Sequence, residues 1–141
     1  MIGHSLKVIL FSIISSLGFT ACSFLPATPS SFTQLEQVQN IDALPDTKTN
    51  KATLSQSKQQ CRIQFTGYFE GGESTETWVF SNNKLQQAFS ETYQYKHNSP
   101  VHLIDQTSRS VTHFDIQKHQ VQENFSKLKS YFSQTALAKC S

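Results

Sequence analysis

An α+β fold, an antiparallel meander of about five strands packed against one C-terminal helix and closed by a disulfide, is predicted by three observations. Apolar and polar residues alternate with period two between residues 61 and 114. The period then lengthens towards 3.6 between Val121 and Leu137, and two cysteines, Cys61 and Cys140, bracket both patterns.

The first strand is read at Arg62-Ile63-Gln64-Phe65-Thr66, where polar and apolar residues alternate, and Gly71-Gly72 supplies the turn that follows. Glu76-Thr77-Trp78-Val79-Phe80, rich in aromatic and β-branched residues, answers it as the second strand of a hairpin. Ser81-Asn82-Asn83-Lys84 is the next turn, because Asn tolerates the left-handed backbone of tight hairpins. A third strand runs from Leu85 to Tyr95, with Phe89, Tyr93 and Tyr95 on one parity. Asn98-Ser99-Pro100 interrupts the pattern before a fourth strand at Val101–Asp105, and a fifth follows at Ser110–Phe114.

Val121, Phe125, Leu128, Phe132 and Leu137 then fall on the stripe of an amphipathic helix, which Asp115 or a polar neighbour would cap. Neither Gly nor Pro interrupts this run before Cys140. Its opposite side carries Gln122, Asn124, Lys127 and Lys129, so the stripe reads as packing onto the sheet rather than entering a membrane.

Residues 1 to 21 have another character. Lys7 precedes the apolar run Val8-Ile9-Leu10-Phe11-Ser12-Ile13-Ile14, and Gly18-Phe19-Thr20-Ala21-Cys22 ends in small residues before a cysteine. A charged start, a short apolar core and small residues before a cut are the parts of a secretory signal peptide. Ser12, Ser15, Ser16 and Gly18 make the segment poor for a stable membrane span, which needs about 20 predominantly apolar residues. With its terminal cysteine, the segment resembles the lipobox signal of bacterial lipoproteins, although Phe19 stands where Leu is commonest. The resemblance implies cleavage before Cys22, a diacylglycerol on its sulfur and acylation of its amine. Ser23, where Asp would signal retention, resembles lipoproteins forwarded to the outer membrane, facing the periplasm. The alternatives are an ordinary signal peptide cut after Ala21 and an uncleaved N-terminal anchor, with Cys22 incidental in either.

Export to an oxidising compartment leaves Cys61 and Cys140 as two thiols that pair; a redox or metal pair would show CxxC spacing, which is absent. Between Ser23 and Gln59 lie three of the four prolines, many Ser, Thr, Gln and Asn, and only isolated apolar residues. Such a segment is expected to be a flexible tether. One qualification is a short amphipathic helical turn through Phe32, Leu35, Val38 and Leu44 after Ser31. The expected organisation is therefore a signal peptide over 1–21, a lipidated cysteine and tether over 22–59, and a small folded domain over 60–141.

Beyond residue 21 the chain carries eleven of the twelve Lys and Arg against ten Asp and Glu, a net formal charge of +1. Its lysines are scattered, so no clustered basic face for nucleic acid is implied. Glu70, Glu73 and Glu76 cluster about the first hairpin, where a charged, solvated edge is the plainer reading. His113, His119 and Asp115 are the nearest approach to a metal corner, but His97, His102, His113 and His119 lack HxxxH or HExxH spacing. No GxSxG elbow or phosphate-binding glycine loop occurs.

The expectation is a non-enzymatic accessory or interaction module without cofactor or metal, bound to the membrane through Cys22 and partnered by an envelope protein. Tyr68, Trp78 and Tyr95 are candidates for its interaction surface, since each buries a ring while keeping a polar tip wet. The alternatives are a small-ligand-binding module and a periplasmic inhibitor that plugs an enzyme cleft. Lysozyme-inhibitor lipoproteins are loosely similar in their first-to-last disulfide, but the C-terminal helix departs from their all-strand pattern. A protruding loop at Phe69–Ser74 would favour the inhibitor, a flat aromatic patch docking, and a closed apolar cavity a ligand.

Overall fold

A computed structural model describes residues 31–94 and 108–141. They form one antiparallel sheet whose strands lie side by side in chain order: β1 (Thr33–Gln39), β2 (Thr49–Gln56), β3 (Cys61–Phe69), β4 (Gly72–Ser81), β5 (Lys84–Gln94) and β6 (Ser110–His113). Two helices follow, α1 (His119–Lys129) and the single turn α2 (Gln134–Leu137), and a 3₁₀ turn over Ala138–Cys140 is the last element. The molecule is mostly sheet. The expected fourth strand, Val101–Asp105, lies outside the described residues.

The turns follow local chemistry. Asn82 and Asn83 both adopt positive φ, 50° and 60°, between the paired Ser81 and Lys84, giving the two-residue connection that matches strand twist. Gly71, at φ 87°, turns β3 into β4 directly after Glu70, with Phe69 already paired to Gly72. No loop protrudes there.

The sheet also extends into the expected tether. Instead of a flexible segment or a helical turn, residues 33–39 and 49–56 are strands β1 and β2. Ala52 and Leu54 alternate inward against Phe65 and Ile63 of β3, while Leu35 and Val38 of β1 pack against the same core. The β1–β2 connection is held by the buried Asn50. Its amide nitrogen donates to the carbonyls of Ile41 and Thr47, both at 3.0 Å, and its oxygen accepts from the Ile41 N–H at 2.9 Å. These bonds satisfy backbone groups that would otherwise be stranded in the loop.

Inward residues line up in rows across the strands. Leu54 faces Ile63, Ile63 faces Trp78 and Trp78 faces Ala88; beside this row Cys61 faces Phe80, which faces Leu85. Helix α1 lays Phe125 and Leu128 on these rows. The Phe125 ring stacks against Trp78 at 6.2 Å and meets Phe80 edge-on at 5.2 Å, while Phe114 tilts against the Trp78 ring at 5.5 Å.

The helix is shorter than its apolar stripe suggests. It ends at Lys129, and the Ser130 hydroxyl donates to the Lys127 carbonyl at 2.6 Å; the Ser133 hydroxyl accepts from Ala136 N–H at 3.2 Å and caps α2. Phe132 and Leu137 therefore reach the core from the irregular segment and the second turn. Lys118, not Asp115, occupies the α1 N-cap position, and Asp115 instead accepts from Gln117 N–H one turn earlier.

Cys61 and Cys140 are joined, tying the C-terminal turn to the start of β3 across a separation of 79 residues. A loop of that length stabilises by about 4 kcal/mol in the chain-entropy model. The Gln56 side chain donates to the Lys139 carbonyl beside this bridge.

Phe125→Ala is expected to destabilise the fold by about 3–5 kcal/mol, the usual range for emptying a buried phenyl site, as read by denaturant unfolding. The double variant Cys61→Ala/Cys140→Ala should lose about 2–5 kcal/mol in the same measurement. Its loss should disappear when wild type and variant are compared under reducing conditions.

Candidate functional site

One face of the sheet carries the helix; the other carries none among the described residues. Strand alternation puts Arg62, Gln64 and Thr66 of β3 opposite to Cys61, Ile63 and Phe65, and does the same for Lys51, Thr53 and Ser55 of β2. Pairing brings these together, since Ser55 faces Arg62, Thr53 faces Gln64, and Lys51 faces Thr66. The result is a trough of about 480 Å³ on the uncovered face.

Amides in the lining come from Gln34 and Gln37 of β1 and Gln64 of β3; hydroxyls come from Thr53, Ser55, Thr66 and Thr75. Thr66 and Thr75 bond to each other through their hydroxyls at 2.9 Å. The charged groups in the lining are Lys51 and Arg62, both cationic. Phe32, just before β1, lies over the Arg62 guanidinium with 4.1 Å between the guanidinium carbon and the ring centre. Burial pulls the Arg62 pKa below its ordinary value, yet an arginine remains charged at neutral pH. Its Nε is buried and has no hydrogen-bond partner among the described residues.

The rest of this face differs. Glu91 of β5 is paired with Arg109 just before β6, and His113 packs its ring on Phe89 at 5.8 Å. The β5–β6 half thus carries its own counter-charge, whereas Lys51 and Arg62 make no ion pair with any described residue.

The three aromatic candidates separate. Tyr68 is half-buried on the uncovered face, at the end of β3. Trp78 does not belong to a surface: it is 1% exposed, on the helix side of the sheet, and its indole N–H donates to Glu76 at 3.1 Å. The carboxylate two residues away satisfies the polar tip that was expected to seek water. Tyr95 lies outside the described residues, as does Cys22. The exposed large apolar residues Leu44, Phe69 and Val111 belong to different parts of the fold, while Phe89 and Tyr93 of β5 share the uncovered face with Tyr68, each half-buried.

The glutamates of the first hairpin are also parted. Glu70 is exposed at the turn, Glu73 lies on the uncovered face, and Glu76 is largely buried on the helix side. Burial raises the Glu76 pKa from 4.5 to about 7, against the opposing hydrogen bond from Trp78. General acid–base chemistry uses carboxyls tuned to this range, but Glu76 is turned away from the trough and towards the core. His119 pairs with Glu123 along α1 at 3.3 Å, apart from His113. Among the described residues no three His, Cys, Asp or Glu side chains are placed to hold a metal ion. No described helix is long and apolar enough to cross a membrane.

Family models, curated proteins and solved structures give no match to this chain. Fold and site together define a disulfide-closed, helix-backed antiparallel sheet with a cationic, amide- and hydroxyl-lined trough on its open face.

The raised Glu76 pKa makes stability depend on pH. The folded chain holds a proton that the unfolded chain releases above about pH 4.5, so the contribution is complete below that pH and is lost as pH rises through about 7. A shift of this size corresponds to about 3 kcal/mol. Glu76→Gln should flatten the unfolding free energy across that window in a pH-dependent denaturation series, and an unchanged slope would show that Glu76 ionises freely in the folded state.

Proposed function

We propose that this chain is a lipid-anchored envelope lipoprotein that works as a non-enzymatic binding module, with the uncovered sheet face as its working surface. The lipobox-like segment ending at Cys22 supports the anchor and the periplasm-facing outer-membrane address. The trough supports the working surface, since Lys51 and Arg62 line it without acidic partners among the described residues. A ligand or partner that supplies acceptors meets two unneutralised cations there.

Two alternatives separate on the same observations. The inhibitor reading asks for a projecting loop, and the β3–β4 connection is a two-residue turn. Binding of a small polar ligand is favoured by the trough itself, a concave site of the size that such ligands occupy, lined mainly by donors and acceptors.

Two measurements in cells test this reading. Mass spectrometry of the purified protein should find an acylated N-terminal Cys22 and no residues 1–21. A photo-cross-linking residue at Gln37, exposed in the lining of the trough, should capture an envelope component that the same residue at Gln122, on the solvent side of α1, does not. Capture should vanish in Cys22→Ala. Equal capture from both positions would remove the uncovered face from the role, and an unprocessed N-terminus would remove the anchor.

A further inference from the structure

We propose that the trough between β1 and β3 is a binding site for an acidic saccharide, a hydroxyl-rich chain carrying carboxylates, with Arg62 and Lys51 as its two anion contacts. The inference rests on the reading of the uncovered face as the working surface and names the chemistry that the surface takes.

Charge is the first argument. Two cations and no acid line the trough, and neither cation is neutralised by a described neighbour. Arg62 is also held in place. Phe32 covers its guanidinium at 4.1 Å and its Nε is buried, so the planar group meets a ligand already oriented. A fixed guanidinium engages a carboxylate through paired N–H donors, with direction as well as charge. Lys51 is the contrasting contact, an exposed point charge on a flexible stem.

Spacing is the second. Lys51 faces Thr66 in the β2–β3 register, and Thr66 is four residues along β3 from Arg62. The two side chains are therefore rooted about 13 Å apart along the strand direction. An oligomer with a carboxylate on every ring presents charge to both cations and lays its hydroxyls along the stretch between them.

That stretch is the third argument. Thr53, Gln64 and Gln37 lie between the cations, and each side chain both donates and accepts. Sugar hydroxyls have the same double character and are matched by such groups. Protein-binding surfaces are built differently, with aromatic and apolar residues concentrated at the centre and charge at the rim. The only ring in this lining, Phe32, is already engaged by Arg62. An acidic saccharide fits the lining better than an acidic polypeptide of equal charge.

The test uses the full chain in detergent micelles with its disulfide formed, and hexagalacturonate as the probe in isothermal titration calorimetry. Fully methyl-esterified hexagalacturonate and poly-L-glutamate of matched charge are the comparison ligands. Saturable binding of hexagalacturonate is expected, at least tenfold tighter than either comparison ligand. Arg62→Gln should weaken it at least tenfold and Lys51→Gln several-fold, while Arg109→Gln, on the other half of the face, leaves it unchanged. Should half-buried Arg62→Gln fail to fold, exposed Lys51→Gln carries the test. Absence of saturable binding, equal binding of poly-L-glutamate, or wild-type affinity in Lys51→Gln would each overturn the saccharide assignment. A protein cross-link from Gln37 that persists beside such a result preserves the working face and removes only the saccharide; loss of both removes the face itself.

Discussion

The seat of Phe125 against Trp78 and Phe80 is the interaction on which the rest of the architecture depends. A single antiparallel sheet must bury one face to be stable, and here an eleven-residue helix is what covers it. A helix of that length has little stability by itself in water, so it exists because the sheet receives its apolar side. Phe125 and Leu128 drive into the rows set by Ile63, Trp78 and Phe80, and the Cys61–Cys140 bridge prevents the end of the chain from lifting away. The dry zone ends along the strands beyond Trp78. There Glu76 is caught at the margin, buried enough to resist ionisation but supplied with one donor.

Concentrating most of the buried apolar packing on one face leaves the β1–β3 part of the other for polar chemistry. Its two halves are not alike. The β5–β6 half closes on itself through Glu91 and Arg109, with aromatic and imidazole rings in contact. The β1–β3 half keeps two cations and an unsatisfied nitrogen in a recess of amides and hydroxyls. The difference arises from register: shifting β2 by one residue against β3 would turn Lys51 towards the core and break the grouping.

Much of this fold is legible from the sequence where the signal is local. Two consecutive asparagines announce the β4–β5 turn, apolar alternation announces β3 and β4, and the bracketing cysteines announce their own bond. Strands β1 and β2 are hard to read because their inward positions include Asn50, Glu36 and Ala52 among few large apolar residues. Their order comes from pairing, β2 with β3 and β1 in turn with β2, and from the Asn50 bonds within the loop. The break after Lys129 is hidden because serines, rather than Gly or Pro, make it. The site suffers in the same way. Lys51 and Arg62 read as scattered charges until the strands are registered, although Lys51-Thr53-Ser55 and Arg62-Gln64-Thr66 already show matching polar parity. Trp78 misleads because its polar tip is satisfied by Glu76 on the same strand face, a pairing visible in their spacing of two.

The early start of the sheet has a consequence for geometry at the membrane. With β1 beginning at Thr33, only nine residues lie between Cys22 and Phe32, and the ten steps from one to the other span at most about 35 Å even when fully drawn out. Phe32 lies over Arg62 in the lining of the trough. An acyl anchor on Cys22 would therefore join the fold at the strand beside the trough. What such a protein samples is a thin layer beside its own membrane, and its lateral diffusion there, more than its reach, would decide which molecules it meets.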